Sequence, residues 1–156
     1  MCPECNNLLY YRDEKIRGFK EHGGRKSLLI IRRLKCSHCS RHHNELPDFL
    51  SPYKHYTTEV IEDVVDEVVD GVVETDSLLS EDYPSQMTMK RWRRWIRQNI
   101  LLIDGYLKSI NHRVLEFDRE HLLSCSSLLM KLREIGSGWL GVVNRIIYNS
   151  GGFLPS

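Results

Sequence analysis

Two cysteine pairs limit what this chain can fold into more than any other feature. Cys2-Pro3-Glu4-Cys5 and Cys36-Ser37-His38-Cys39 are separated by 30 residues. A CxxC spacing bends into a knuckle that aims two thiolates at one point, and two knuckles complete a closed four-sulfur site. A closed site leaves no position for water, so the expectation is a structural zinc on Cys2, Cys5, Cys36 and Cys39 rather than a catalytic metal. The fifth cysteine, Cys125, stands outside the pattern and reads as a buried core thiol. The chain opens without a basic segment leading into an apolar run, and no stretch approaches the roughly 20 apolar residues that span a bilayer. These features predict a soluble, cytoplasmic protein with no membrane partner, whose cysteines bind metal instead of forming disulfides.

The segment between the knuckles reads as a β-hairpin. Residues 8–20 and 26–35 are rich in β-branched, aromatic and basic side chains, and Glu21-His22-Gly23-Gly24-Arg25 carries the turn glycines. A unit this small buries little core, so the metal is expected to supply the fold. Its strands display Arg12, Lys15, Arg17, Lys20, Arg32, Arg33 and Lys35. These are either a second phosphate-contacting surface or edge-strand charge that blocks aggregation. The cysteine spacing approaches that of rubredoxins, which bind iron between two such knuckles. Rubredoxin knuckles continue into glycine, whereas this chain has Asn6 and Ser40, and its loop is basic where those electron carriers are acidic. Arg41-His42-His43-Asn44-Glu45 follows the second knuckle. Its histidines are adjacent, not spread over a hairpin and helix as a His-Asn-His nuclease requires. His42 and His43 are expected to cover the ribbon or face solvent, and His38 is surplus beside four thiolates.

A connector, residues 47–56, holds two prolines, which interrupt any helix, and enough apolar residues to pack instead of swinging free. Charge then changes sign along the chain. Residues 57–84 carry ten Asp/Glu and no Lys/Arg, while residues 85–113 carry seven Lys/Arg and one Asp. Segregation of this kind points to a polyanionic partner. Thr57 or Thr58 caps a helix in which valine and isoleucine recur every four residues from Val60 to Val73. Its other face, Glu62, Asp63, Asp66, Glu67 and Asp70, would be repelled by phosphate and is expected to be solvated. Gly71 ends or kinks this helix, and residues 75–82 form a short second one.

Residues 85–97 read as a sharply started helix. Pro84 stops what precedes it and Ser85 is a favoured cap. Met89, Trp92, Ile96 and Ile100 share one face, and Gln86, Lys90, Arg94 and Arg97 the other, with Met87 and Arg91 beside them and Trp95 at the border. That is how a recognition helix is built: a buried side sets its angle, first-turn side chains reach base edges, and arginines neutralise phosphates. The run Tyr83-Pro-Ser-Gln-Met-Thr-Met-Lys-Arg-Trp92 resembles the recognition-helix stretch of transposase and resolvase helix-turn-helix domains. Their Ser-x-x-Thr-(apolar)-x-x-Trp pattern falls here on Ser85, Thr88, Met89 and Trp92. The order of zinc ribbon, LPD…PYKHY connector and helix-turn-helix resembles the N-terminal DNA-binding region of insertion-sequence transposases. It is closer still to small uncharacterised zinc-ribbon plus helix-turn-helix proteins of clostridia and relatives, often encoded near mobile elements. The resemblance covers roughly residues 1–105. It implies that Gln86, Met87, Lys90 and Arg91 approach bases, and that Arg93, Arg94 and Arg97 approach phosphates.

Beyond it, residues 100–113 either continue the helix or restart after Gly105. Asp118 caps a further helix running to about Ile135, Gly136-Ser137-Gly138 breaks it, and residues 139–148 form a short apolar helix before a loose tail. These elements either close the core or make a dimer. The expected fold is a small α+β zinc ribbon (1–46), a connector (47–56), a mostly α helix-turn-helix domain (57–113) and C-terminal helices (114–156). The expected function is sequence-recognising binding of double-stranded DNA, as a regulator or accessory factor of a mobile element, with a second copy or a protein as further partner. The alternatives are a zinc-stabilised protein-interaction adaptor that docks through its acidic helix, or a partial transposase lacking its catalytic domain. No phosphate loop, nucleophile elbow or open metal triad is present to mark an enzyme.

Overall fold

The strand-forming halves of the N-terminal segment meet across a glycine turn. In the computed structural model, which describes residues 1–70, 84–114 and 127–155, β1 (Leu9–Lys20) pairs antiparallel with β2 (Lys26–Cys36). Leu9 faces Cys36 at one end and Lys20 faces Lys26 at the other. Gly23 and Gly24 take φ of 72° and 70° in the turn, a left-handed conformation that glycine adopts without steric cost. A short β3 (His42–Asn44) adds to the far side of β2, giving the order β1-β2-β3. The hairpin therefore stands as expected, and the run after the second knuckle is its third strand. One face buries Phe19 and Ile31; on the other, Ile16, Leu28 and Ile30 are exposed.

The connector is packed. Leu50 and Ser51 are buried, and Phe49 lies against Phe19 with ring centroids 5.5 Å apart. Arg17 donates to the carbonyls of Ser51 and Lys54 at 2.8 and 2.6 Å. Lys20 N–H donates to His55 O, and Thr57 N–H to Lys20 O, so the end of β1 leads directly into the first helix.

That helix, α1 (Thr58–Val69), buries Val60, Ile61, Val64, Val65 and Val68. Four-residue spacing thus wins over the strand preference of valine, because it forms a stripe that packs. α2 (Gln86–Val114) is one 29-residue helix, about 43 Å long at 1.5 Å per residue. It continues through Gly105 and does not restart. α3 (Leu128–Glu134) and α4 (Trp139–Asn149) close the core with Leu129, Trp139, Leu140, Val143 and Ile147. The described fold is thus α+β: a three-stranded antiparallel sheet with four helices. Gly71, the short helix at 75–82, the Asp118 cap with the start of its helix, and Cys125 lie outside the described residues.

Two expectations are corrected here. The acidic face of α1 is solvated only in part: Asp63 and Asp70 are exposed, but Glu62 and Asp66 are turned to use within the fold. Glu62 is 3% exposed and accepts from the N–H groups of Gly138 and Leu140 at 2.8 and 2.6 Å. Asp66 accepts from Trp139 Nε1, and Arg133 bridges Asp66 and Asp70. α4 starts at Gly138, which has no side chain to cap it, so a carboxylate from α1 satisfies its free N–H groups. Nor is the tail loose. Leu154 is buried, Asn99 donates to Pro155 O at 3.2 Å, and a Cβ on Gly152 would fall 2.7 Å from Tyr106 Cε1.

Asp104 of α2 serves α3 as Glu62 serves α4. It accepts from Ser127 Oγ and from the N–H groups of Leu128 and Leu129, and pairs with Lys108 at 2.9 Å. Burial alone would raise its pKa. The Lys108 ammonium and the N–H donors outweigh burial and hold the carboxyl below its ordinary value. A depressed carboxylate contributes stability above its unfolded pKa and loses it as pH falls through the folded value. Asp104→Ala is therefore expected to cost about 1–2 kcal/mol at pH 7, and denaturant titrations below pH 4 should show that difference shrinking. A cost that stays constant into acid would contradict the assignment.

Candidate metal centre and candidate nucleic-acid interface

The four cysteine sulfurs come together at the end of the sheet remote from the hairpin turn. All four Sγ atoms lie within 4.8 Å of one another. The closest pairs cross between knuckles: Cys2 to Cys39 at 3.7 Å and Cys5 to Cys36 at 3.4 Å. A tetrahedral cation with metal–sulfur bonds of about 2.3 Å sets sulfur–sulfur edges of roughly 3.8 Å, so the donor set fits a metal ion. Cys2 and Cys36 are buried, and Cys5 and Cys39 are partly exposed.

The two knuckles repeat one backbone pattern. Cys2 N–H donates to Asn7 O at 2.7 Å and Cys36 N–H to Arg41 O at 2.9 Å, five residues on in each case. Asn6 and Ser40 have φ of 56° and 59°. The left-handed turn that glycine fills in a rubredoxin knuckle is thus present without glycine, so the missing glycines do not argue against that geometry. Asn7 N–H holds the Cys5 thiol down to about 6. Arg41 N–H acts likewise on Cys39, but burial and the neighbouring sulfurs outweigh it and push that thiol up to about 11. A cation is what would let all four ionise together.

β3 brings a fifth side chain to this centre. Successive strand residues point to opposite faces. His42 therefore lies beside Arg12, 3.1 Å away, while His43 places Nε2 3.4 Å from Cys2 Sγ. The sequence expectation that both histidines merely cover the ribbon or face solvent missed this contact. Two-residue alternation through Arg41-His42-His43 was the available signal. The His38 side chain is exposed, and its backbone N–H bonds Cys36 Sγ at 3.4 Å.

The basic face lies on the first half of α2. Ser85 Oγ accepts from Thr88 N–H at 3.4 Å, and Ser85 O accepts from Met89 N–H at 3.0 Å. The Ser-x-x-Thr spacing is thus a helix start. Met89, Trp92, Trp95 and Ile96 are buried. Tyr56 meets Trp92 edge-on at 5.1 Å, and the Lys54 ammonium sits 4.7 Å over Trp95, so the connector holds the helix by its aromatic side. Gln86, Met87, Lys90, Arg91, Arg94 and Arg97 are exposed. Arg93 does not join them. It is 7% exposed and its Nε donates to Val64 O at 3.4 Å. Helical spacing explains the correction: Met89, Ile96 and Ile100 lie at i−4, i+3 and i+7 from Arg93, which puts it on the buried stripe.

Most of the cations expected on the strands are engaged within the fold. Arg33 pairs with Asp13, Arg32 with Glu45 at 2.5 Å, Arg17 with connector carbonyls, and Lys20 Nζ lies 3.3 Å from Tyr56 OH. Lys15 and Lys35 are exposed. Among the described residues, no helix is long and apolar enough to cross a membrane.

Residues 2–92 match the model of a family described as a domain of unknown function, DUF6431. The chain belongs to this DUF6431 family. No curated protein and no solved structure matches it. The DUF6431 stretch takes in both knuckles, the sheet, the connector, α1 and the first turns of α2 as far as Trp92. Gln86, Met87, Lys90 and Arg91 fall inside it, and Arg94 and Arg97 beyond it.

Proposed function

We propose that this chain is a sequence-recognising DNA-binding protein, a regulator or accessory factor linked to a mobile genetic element. In this reading Cys2, Cys5, Cys36 and Cys39 hold a structural zinc, for which four thiolates at tetrahedral spacing are a suitable donor set. Residues 1–46 are then a zinc ribbon and residues 57–113 a helix-turn-helix unit, with the first turns of α2 in the major groove. The observation that carries it is the division of α2. Its aromatic side is clamped by the connector, while Gln86, Met87, Lys90, Arg91 and Arg94 are exposed together. The likeness of residues 83–92 to transposase and resolvase recognition helices supports the mobile-element link. An adaptor that docks through the acidic face of α1 is less well supported, because Glu62, Asp66 and Asp70 are already bonded to α3, α4 and the turn between them.

The test is duplex DNA binding across a range of salt, with a Lys90→Ala/Arg91→Ala/Arg94→Ala variant of verified fold. Each lost phosphate contact removes about 0.9 from the slope of log K against log salt, so the variant should bind more weakly with a slope shallower by roughly 2–3. A wild-type protein that ignores duplex DNA at low salt, or a variant that binds as well as wild type, would overturn the reading.

A further inference from the structure

Among the described residues, two side-chain nitrogens reach sulfurs of the four-cysteine centre: Asn7 Nδ2, 3.5 Å from Cys5 Sγ and part of that knuckle, and His43 Nε2, 3.4 Å from Cys2 Sγ and carried by β3, 41 residues from Cys2. Cys5 receives the N–H of Asn7, two residues on, and Cys39 that of Arg41, also two residues on. Cys36 receives the N–H of His38, again two residues on. On Cys2 Sγ the nitrogen placed by the fold is His43 Nε2, at 3.4 Å. Backbone donors come with the knuckle turn whatever the side chains are. A side-chain donor must be supplied by a particular residue, held at a particular place.

That place is well fixed. His43 sits on β3 opposite Leu34, and β3 is tied to β2, which ends at Cys36. The bonds Cys36 N–H to Arg41 O and Glu45 N–H to Arg32 O hold β3 at both ends. Arg41 also pairs with Glu4 of the first knuckle. The imidazole is therefore carried to Cys2 by the second knuckle and its strand, and it joins the two halves of the centre without being one of the four ligands.

The geometry points to His43 as a positioning residue for the metal: its Nε2–H donates to the Cys2 thiolate and ties that knuckle to β3. Four thiolates around a divalent cation leave the centre with two excess negative charges. Donors to the sulfurs spread that charge and hold each sulfur at its bonding angle. His43 does this for Cys2 from outside the knuckle that carries it. This inference rests on the zinc reading above.

Two measurements on the full chain test it. Cadmium-113 is loaded in place of zinc, and scalar coupling is sought between the metal and the His43 Hε2 proton across the hydrogen bond. A resolved coupling is expected; its absence, with couplings to the Asn7, His38 and Arg41 amides present, would overturn the proposal. Zinc affinity is then measured by chelator competition for wild type, His43→Ala and His43→Gln. Loss of an outer partner of this kind weakens metal affinity by about 10–100-fold, and the alanine variant should show it. The glutamine variant, which keeps an N–H donor, should lose less than the roughly tenfold lower end of that range. An alanine variant that binds like wild type would overturn the role, as would a glutamine variant that loses tenfold or more. If the alanine variant does not fold, the cadmium coupling and the glutamine variant decide. A wild-type chain that takes up no metal would fail the zinc reading itself, and the proposal with it.

Discussion

Stripping the proposed zinc from the four-cysteine centre is expected to melt the sheet at its cysteine end while the helical core survives. At that end, around Leu9, Tyr10 and Leu34 to Cys36, the deeply buried side chains are Cys2 and Cys36 themselves. Phe19 at the other end is held by the connector, while Ile16, Leu28 and Ile30 face outward. The cysteine end thus lacks apolar burial to offset the entropy of ordering it. Structural zinc sites release roughly 10–16 kcal/mol on binding at neutral pH, comparable to the whole stability of an ordinary domain. By contrast, the cluster from Val60 to Ile147 has an apolar core of its own. Chelation, or Cys36→Ser, should therefore abolish amide protection in β3 and in the cysteine ends of β1 and β2. Val64, Ile96 and Val143 should keep theirs. Hydrogen exchange on metal-loaded and stripped protein reads both at once. Sheet amides that stay protected after quantitative metal removal would show that the centre is dispensable for the fold.

What could be read in the sequence follows how local its cause is. The hairpin, the knuckles and the buried stripe of α1 were legible because period-two, CxxC and four-residue spacings each act within a few residues. So was the start of α2, since Ser85 and Thr88 cap it over one turn. Arg93 was misplaced although its spacing was readable; counted strictly, it shares the stripe of Met89 and Ile96. The rest depended on partners distant in sequence. That Glu62 and Asp104 cap α4 and α3 depends on contacts 76 and 24 residues away. That the tail packs depends on Gly151 and Gly152 fitting against Pro3 and Tyr106. His43 needed both kinds of information. Strand alternation separates it from His42, but only the docking of the first knuckle brings Cys2 to its ring.

The second large effect is expected at Glu62. Glu62→Ala would leave the N–H groups of Gly138 and Leu140 without partners at the buried start of α4. At about 1–3 kcal/mol for each unsatisfied donor, offset by removing a desolvated charge, the net loss should be about 2–4 kcal/mol. Glu62→Gln keeps one acceptor and should lose about half of that. The two variants also separate hydrogen bonding from charge. Burial raises the Glu62 pKa despite the two N–H donors, with Asp66 and Asp63 adding to the rise. A carboxyl whose folded pKa is raised favours the folded state most when protonated. That contribution is full below the unfolded pKa and is lost as pH rises through the folded value. Relative to the glutamine variant, wild type should therefore lose stability across the window just above pH 4.5, in the direction opposite to Asp104. Denaturant unfolding of the three proteins between pH 4 and 8 gives both the size and the sign. An alanine variant within about 0.5 kcal/mol of wild type, the usual range for surface substitutions, would mean that Glu62 is open to solvent after all. The acidic helix would then again be free to meet a partner.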